Sequence, residues 1–299
     1  VAAIVGDHSR GPGQVQRVFN FSFFSGPSAN IGTCRYREGP RAQMNELVTS
    51  ESVQKDVVCV TLNRPDKRNA MNIPLLNALC SAFDNANASN ARVIIVRGAG
   101  PVFCSGLDLT EANDPSKSHE SAGCIARMIE TILQSRAATI AAVHGAAVAG
   151  GAGLMTACDF AVAEAGTKIG YPEVRRGLVA GLVMTLLRRQ VRERDARELL
   201  LLGETIDAHR AREMGLLNRV VPGGTATDAA LELTQILLKG GPHAIARTKQ
   251  VFADLWPRAI ESDLAWALNQ HRAVRTSREA HEGINAFNEK RKPSWETGE

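Results

Sequence analysis

The chain has 299 residues, 44% of them hydrophobic and 22% charged, and a formal net charge of +4. Such a length holds one large domain or a core with a smaller appendage, and the composition is that of a globular protein able to bury a core. The charge is modest and dispersed, which gives no argument for nucleic acid, and no apolar run approaches the roughly 18 residues of a membrane span. Six cysteines (Cys34, Cys59, Cys80, Cys104, Cys124 and Cys158) lie far apart, with no C-x-x-C pair. They predict buried free thiols in a reducing, cytoplasmic compartment rather than a disulfide framework or a metal site.

Residues 1–43 mix Gly, Ser, Pro, Arg and Phe without period and set only Asp7 and Glu38 against five arginines. They read as a poorly ordered N-terminal extension, with a leader into the mitochondrial matrix as the alternative. The functional domain is expected to open near Met44. Strands are predicted near Leu47–Val53 and from Asp56 to Leu62, joined by a turn at Gln54–Lys55. After the polar loop NRPDKRNAMN, a helix is expected from Pro74, with Leu75, Leu76, Leu79 and Phe83 on one face. Residues 92–98 (RVIIVRG) form a buried strand. A Gly-Pro turn leads into VFCSGLDLTEA, then a loop to about Ser118 and a helix to Ser135.

The next stretch organises the rest. A buried strand ends at Val143, and small residues follow, Gly150, Gly151 and Gly153 among them. A helical run Leu154–Cys158, a strand Phe160–Ala163 and one carboxylate, Glu173, come after. Small residues where a strand turns into a helix let a ligand approach bare backbone. The first N–H groups of a helix have no intrahelical partner, and such donors suit an enolate or tetrahedral oxygen. Close helix packing is the other use of the same residues. AGGAG lacks the spacing of a dinucleotide fingerprint, and no Gly-Lys-Ser/Thr follows to make a phosphate loop. Beyond it, two helices, a short one and the strand RVV (219–221) are predicted, then helices near 225–239, 242–256 and 257–289. The order indicates an α/β core over residues 44–224 and a helical C-terminal region over 225–299.

Six segments, TLNRPDKRNAMN, FCSGLDL, AVAGGAGLMTACDF, GYPEVRRGL, GETIDAHRAREMGLLNRVVP and EGINAFNEKRKP, together resemble the enoyl-CoA hydratase/isomerase (crotonase) superfamily, in order, over about Leu47 to Pro293. The resemblance implies an α/β spiral of ββα units with a helical C-terminal trimerisation region, assembled as a homotrimer or a dimer of trimers. It also implies an acyl-CoA thioester substrate, with CoA entering as part of that substrate, no metal or redox cofactor, and no nucleic-acid or membrane partner. Carried onto this sequence, the oxyanion donors are the backbone N–H groups of Leu107 and Gly150. The acid/base is Glu173, next to Pro172. Lys67, Arg68 and Ala70 flank the CoA nucleotide and pantetheine, and Ser105 lines their pocket with the backbone around it, Gly106, Asp108 and Leu109. Asp108 is expected to cap the following helix rather than to react. Lys290 and Lys292 would reach a phosphate across a subunit boundary.

One departure from the family pattern bears on the reaction. The family's hydratases use two glutamates around one water; one matches Glu173, and the position of the other holds Gly153. Hydration needs a water activated at C3 and a proton delivered to C2, whereas moving a double bond from C3 to C2 needs one base. Monofunctional isomerases of the family keep only the second glutamate. Its dienoyl isomerases need acids at the positions of Gly153 and Gly181. A substitute acid would have to come from the region of Asp114, His119 and Glu120. His144 is expected to satisfy backbone groups at a strand end, and Arg175 or Arg176 could pair with Glu173 and spoil it as a base. The leading expectation is an enoyl-CoA hydratase that forms an oxyanion-stabilised enolate, with Glu173 as acid/base. The alternatives are a 3-enoyl-CoA to 2-enoyl-CoA isomerase using Glu173 alone, and a non-catalytic or RNA-binding protein on the same fold. The last would rest on the net charge and on Arg188–Arg197, a stretch that also holds Glu193 and Asp195 and reads better as a mixed-charge helix.

Overall fold

The aliphatic and β-branched runs pair into a six-stranded sheet in the computed structural model, which describes residues 46–112, 114–254 and 260–294. The expected N-terminal extension and the opening at Met44 lie outside the described residues. In chain order come β1 (Val48–Gln54), β2 (Val57–Leu62), α1 (Ile73–Ala88), β3 (Val93–Gly98), α2 (Leu109–Ala112), α3 (Pro115–Gln134) and β4 (Ala138–Val143). β5 (Ala146–Val148), α4 (Gly150–Ala157), β6 (Phe160–Glu164), β7 (Lys168–Gly170), α5 (Gly181–Gln190), α6 (Glu193–Arg197) and β8 (Thr205–Asp207) follow. The last are α7 (Ala208–Met214), β9 (Arg219–Val221), α8 (Ala226–Leu237), α9 (Pro242–Asp254), α10 (Ile260–Arg275) and α11 (Arg278–Asn288).

The main sheet runs β1-β2-β3-β4-β6-β9, with β1 antiparallel to β2 and every later pair parallel. Parallel strands covered on both faces lose the apolar/polar alternation, and β4 is buried at every position. The two faces still separate by residue. Val60, Leu62, Ile94, Val96, Ala141 and Val143 join the larger core under α1, α3, α4 and α5. Cys59, Ile95, Ile140, Ala142 and Val162 point the other way, onto Ala226, Ala229 and Ala230 of α8. α1 starts as its sequence predicts: Asn72 accepts the Leu75 amide, Pro74 sits in the first turn, and Leu75, Leu76, Leu79 and Phe83 are buried.

A second, three-stranded sheet, β5-β7-β8, has no counterpart in the sequence reading. Its strands are three residues each, too short to show a period. It matters because β5 carries the chain from β4 toward α4, and α4 begins at Gly150 rather than Leu154. The helix expected over 257–289 is in fact two. Ser277 breaks it, its side chain accepting the Ala280 amide to cap α11. The expected free thiols are found at Cys59, Cys80, Cys104, Cys124 and Cys158, all buried, while Cys34 lies outside the described residues. Among the described residues no helix is long and apolar enough to cross a membrane.

Gly151 marks the tightest joint between α4 and the preceding loop, since a Cβ there would lie 2.3 Å from the Cys104 carbonyl oxygen. Gly151→Ala is expected to lower stability by roughly 1–3 kcal/mol through overpacking. Gly166→Ala, with nothing within 4 Å of its Cβ position, is the control. Urea denaturation of both variants checks this.

Candidate active site

Two loops and one short turn meet around a cavity of about 320 Å³. The first loop follows β3. Cys104 joins it to β5 by hydrogen bonds from the Cys104 amide to the Ala146 carbonyl (3.1 Å) and from the Val148 amide to the Cys104 carbonyl (3.1 Å). Gly106, at φ 98°, brings the backbones together, because a Cβ on it would lie 2.8 Å from the Val148 carbonyl oxygen and 3.3 Å from the Gly150 nitrogen. The Met71 amide donates to the Gly106 carbonyl and the Asp108 amide to the Met71 carbonyl. That bridge uses the Gly106 carbonyl and the Asp108 amide on either side of Leu107 and leaves the Leu107 N–H outside it. At the start of α4 the Ala149 amide is held by the Gly170 carbonyl at 2.8 Å, with Ala149 itself at φ 51°. A left-handed φ at a non-glycine residue stores strain. The next amide, Gly150, belongs to the first turn and has no intrahelical acceptor. Among the described residues neither the Leu107 nor the Gly150 N–H donates a hydrogen bond. Both residues line the cavity.

The loop 64–70 is fastened by a side chain that the sequence analysis did not single out. Asn69 is buried, and its amide nitrogen donates to the carbonyls of Ala99, Val102 and Phe103 while its Oδ1 accepts the Arg64 amide. Lys67, Arg68 and Ala70 are thereby set on the cavity wall with Ser105, Asp108 and Leu109. Asp108 accepts the Thr110 amide at 3.0 Å and pairs with Arg64 at 2.6 Å. Burial raises its pKa, but the Arg64 hydrogen bond and the Thr110 amide together hold it below the ordinary value. Gly106 and Pro172 serve the packing around the cavity and do not line it.

Glu173 lies in the turn Pro172–Arg176, whose approach is anchored by Tyr171. That ring is fully buried, and its hydroxyl shares a 2.7 Å hydrogen bond with Thr156 of α4. Glu173 Oε2 is closed to solvent and has no hydrogen-bond partner among the described residues. Burial pushes the carboxyl up to about 7, with its own amide and the Arg176 charge pulling partly back. Neither neighbouring arginine forms an ion pair with it: Arg175 reaches Glu204 at 3.0 Å, and Arg176 lies over the Phe287 ring.

Gly153 faces Val183. A Cβ at 153 would fall 2.9 Å from Val183 Cγ2, and Val183, not Gly153, lines the cavity. The substitute acids considered for that role are elsewhere: Asp114 caps α3, and His119 and Glu120 are exposed. Among the described residues the carboxylates on the cavity are Glu173 and the arginine-bound Asp108. His144 Nε2 meets the Gly100 carbonyl at 2.9 Å, away from the cavity. Lys290 and Lys292 do not line it either. In the Arg188–Arg197 stretch, Arg189, Arg192 and Arg197 are paired with Asp263, Asp195 and Glu193, the mixed-charge pattern expected.

The C-terminal helices supply a wall that the motifs did not foretell: His271, Arg275 and Phe287. The Val179 carbonyl, 3.1 Å from His271 Nδ1, can only accept, so that nitrogen carries the proton. Burial lowers the His271 pKa, which disfavours the charged ring.

A model of the enoyl-CoA hydratase/isomerase family matches residues 52–298. Enoyl-CoA hydratase EchA19 of Mycobacterium tuberculosis is 34% identical over 247 residues, 79% of this chain and 92% of its own. Enoyl-CoA isomerase/hydratase fer4 of Mycosarcoma maydis is 32% identical over 252 residues, 78% of this chain and 90% of its own. The crystal structure of an enoyl-CoA hydratase from Mycobacterium avium is similar with a TM-score of 0.76 at 31% identity, covering 84% of this chain and all of that one. The chain belongs to the enoyl-CoA hydratase/isomerase family and has its crotonase fold.

A carboxyl whose folded pKa is raised from 4.5 to about 7 binds protons that the unfolded chain does not, so its stabilising contribution falls as pH rises through that window. Glu173→Gln, neutral throughout, is expected to gain roughly 1–3 kcal/mol on wild type between those limits. The gain reads as a Tm advantage above pH 7 that vanishes below pH 5. Gly153→Glu is expected to destabilise by roughly 1–3 kcal/mol by overpacking Val183, and Val183→Ala in the same chain to relieve it. Chemical denaturation of the single and double variants tests this.

Proposed function

We propose that this protein is an enoyl-CoA hydratase working with one carboxylate. The observation that carries the reading is Glu173, its Oε2 closed to solvent without a partner and its carboxyl poised near neutrality, in one cavity with two free backbone donors. A water held by the Glu173 carboxylate adds its oxygen to C3 of the 2-enoyl thioester and gives its proton to Oε2. The enolate oxygen that forms is stabilised by the Leu107 and Gly150 amides, each worth about 3–4 kcal/mol in a dry site. Glu173 then passes the same proton to C2, so that H and OH have been added across the double bond. A pKa of about 7 suits a group that must accept and return one proton.

The methyl of Val183 beside Gly153 favours a second reading. With no second acid on that side, Glu173 could instead take a proton from C2 of a 3-enoyl thioester and return it to C4. Lys67, Arg68, Ala70, Ser105 and Leu109 support a CoA-binding wall, with CoA brought by the substrate and no other cofactor required. A groove between α5 and α10 with exposed Met184 and Trp266 supports assembly through that face, as a trimer or a dimer of trimers. The buried free thiols support a cytoplasmic location, with the mitochondrial matrix as the alternative.

Crotonyl-CoA and 3-hexenoyl-CoA, assayed in parallel, separate the readings. The expected result is loss of the conjugated thioester absorbance on crotonyl-CoA, slowed roughly 10²–10⁴-fold in Glu173→Gln. Gain of that absorbance from 3-hexenoyl-CoA, with crotonyl-CoA inert, would make the isomerase reading correct.

A further inference from the structure

Arg176 takes no part in the reaction just described. It ends the turn that carries Glu173, three residues on, and lines the same cavity. Its guanidinium carbon stands 4.4 Å from the centroid of the Phe287 ring, so an aromatic surface covers one face. Its Nε is closed to solvent and meets no acceptor among the described residues. The residue is also gripped from behind: a Cβ on Gly283 would fall 2.5 Å from the Arg176 carbonyl carbon and oxygen, so α11 packs directly on the arginine's backbone.

A buried N–H without an acceptor is costly, and a protein bears that cost where a ligand removes it. A guanidinium stacked on a ring keeps its edge free, and that edge is a planar fork matched to a carboxylate. Arg275, only 3% exposed, adds a second cation to the same cavity. Asp108, the other carboxylate there, is taken by Arg64. The phosphates of CoA have exposed Lys67 and Arg68 to meet them. Arg176 belongs with Glu173, where the reacting acyl carbons must lie.

We propose that the Arg176 fork, backed by Phe287, binds a carboxylate carried by the acyl group, so that the preferred substrates are enoyl-CoA thioesters whose chain ends in a second carboxylate. This rests on the acyl-CoA reading above but not on which reaction follows. Adipyl-CoA and hexanoyl-CoA have acyl chains of equal length, are saturated and cannot turn over, so their affinities, measured by calorimetry, report binding alone. Wild type is expected to hold adipyl-CoA on the order of 10- to 100-fold more tightly, the worth of one charged hydrogen-bonded pair. In Arg176→Met that ratio is expected to collapse to near unity, and in Phe287→Leu to shrink. Equal affinities in wild type overturn the proposal and leave the hydratase reading standing. A ratio that survives in Arg176→Met, with both thioesters weakened alike, assigns Arg176 to a CoA phosphate and overturns it too. If Arg176→Met does not fold, Phe287→Leu decides: an unchanged ratio counts against. Failure of both thioesters to bind wild type removes the acyl-CoA reading itself, and this proposal with it.

Discussion

The site depends on an approach of backbone to backbone with no side chain between. The segment 104–107 lies against 148–151 so closely that a methyl group at Gly106 or Gly151 would overlap a carbonyl oxygen. Hydrogen bonds through Cys104 lock the two segments in register, and the strained Ala149 turns the chain into α4. What this contact yields is two amides, Leu107 and Gly150, kept from each other's carbonyls and from every other acceptor described. Preorganised donors of this kind need no reorganisation when charge develops, which is why they are worth more than mobile ones. Asn69 does the same work one layer out, tying three carbonyls of the following loop to the 64–70 segment.

Around that frame the protein accepts local instability. Glu173 is held where its charged form is disfavoured, and the surrounding wall (Ile125, Leu178, Leu182, Val183) is apolar. The same burial that raises its pKa makes it a usable base and acid near neutral pH. Val183 gives this active site its particular character. It lies against Gly153 and lines the cavity in that residue's place, which leaves Glu173 and the arginine-bound Asp108 as the carboxylates there among the described residues.

Much of the site was legible because its parts are short, continuous strings. Leu107, Gly150 and Glu173 each sit in a short string that carries the family resemblance, and the small residues before α4 point on their own to free amides at a helix start. The α1 cap and face were equally plain. What escaped is set by contacts between distant segments. Val183 over Gly153, Tyr171 on Thr156 and Phe287 on Arg176 join residues that no spacing rule connects. The strands β5, β7 and β8 exist through their partners and not through any period of their own. Ser277 is different: a serine before a helical run is a start signal, and the long apolar pattern on both sides of it obscured that signal.

α11 reaches back to the turn that bears Glu173. Gly283 lies on Arg176, and the Gly177 position meets the backbone of Glu279 and Ala280, so helix and turn interlock at two glycines. Helix α11 and the turn that carries Glu173 therefore form a single mechanical piece. Anything that levers this helix outward shifts Glu173 with it, so α11 sets the position of that carboxyl as well as walling the cavity.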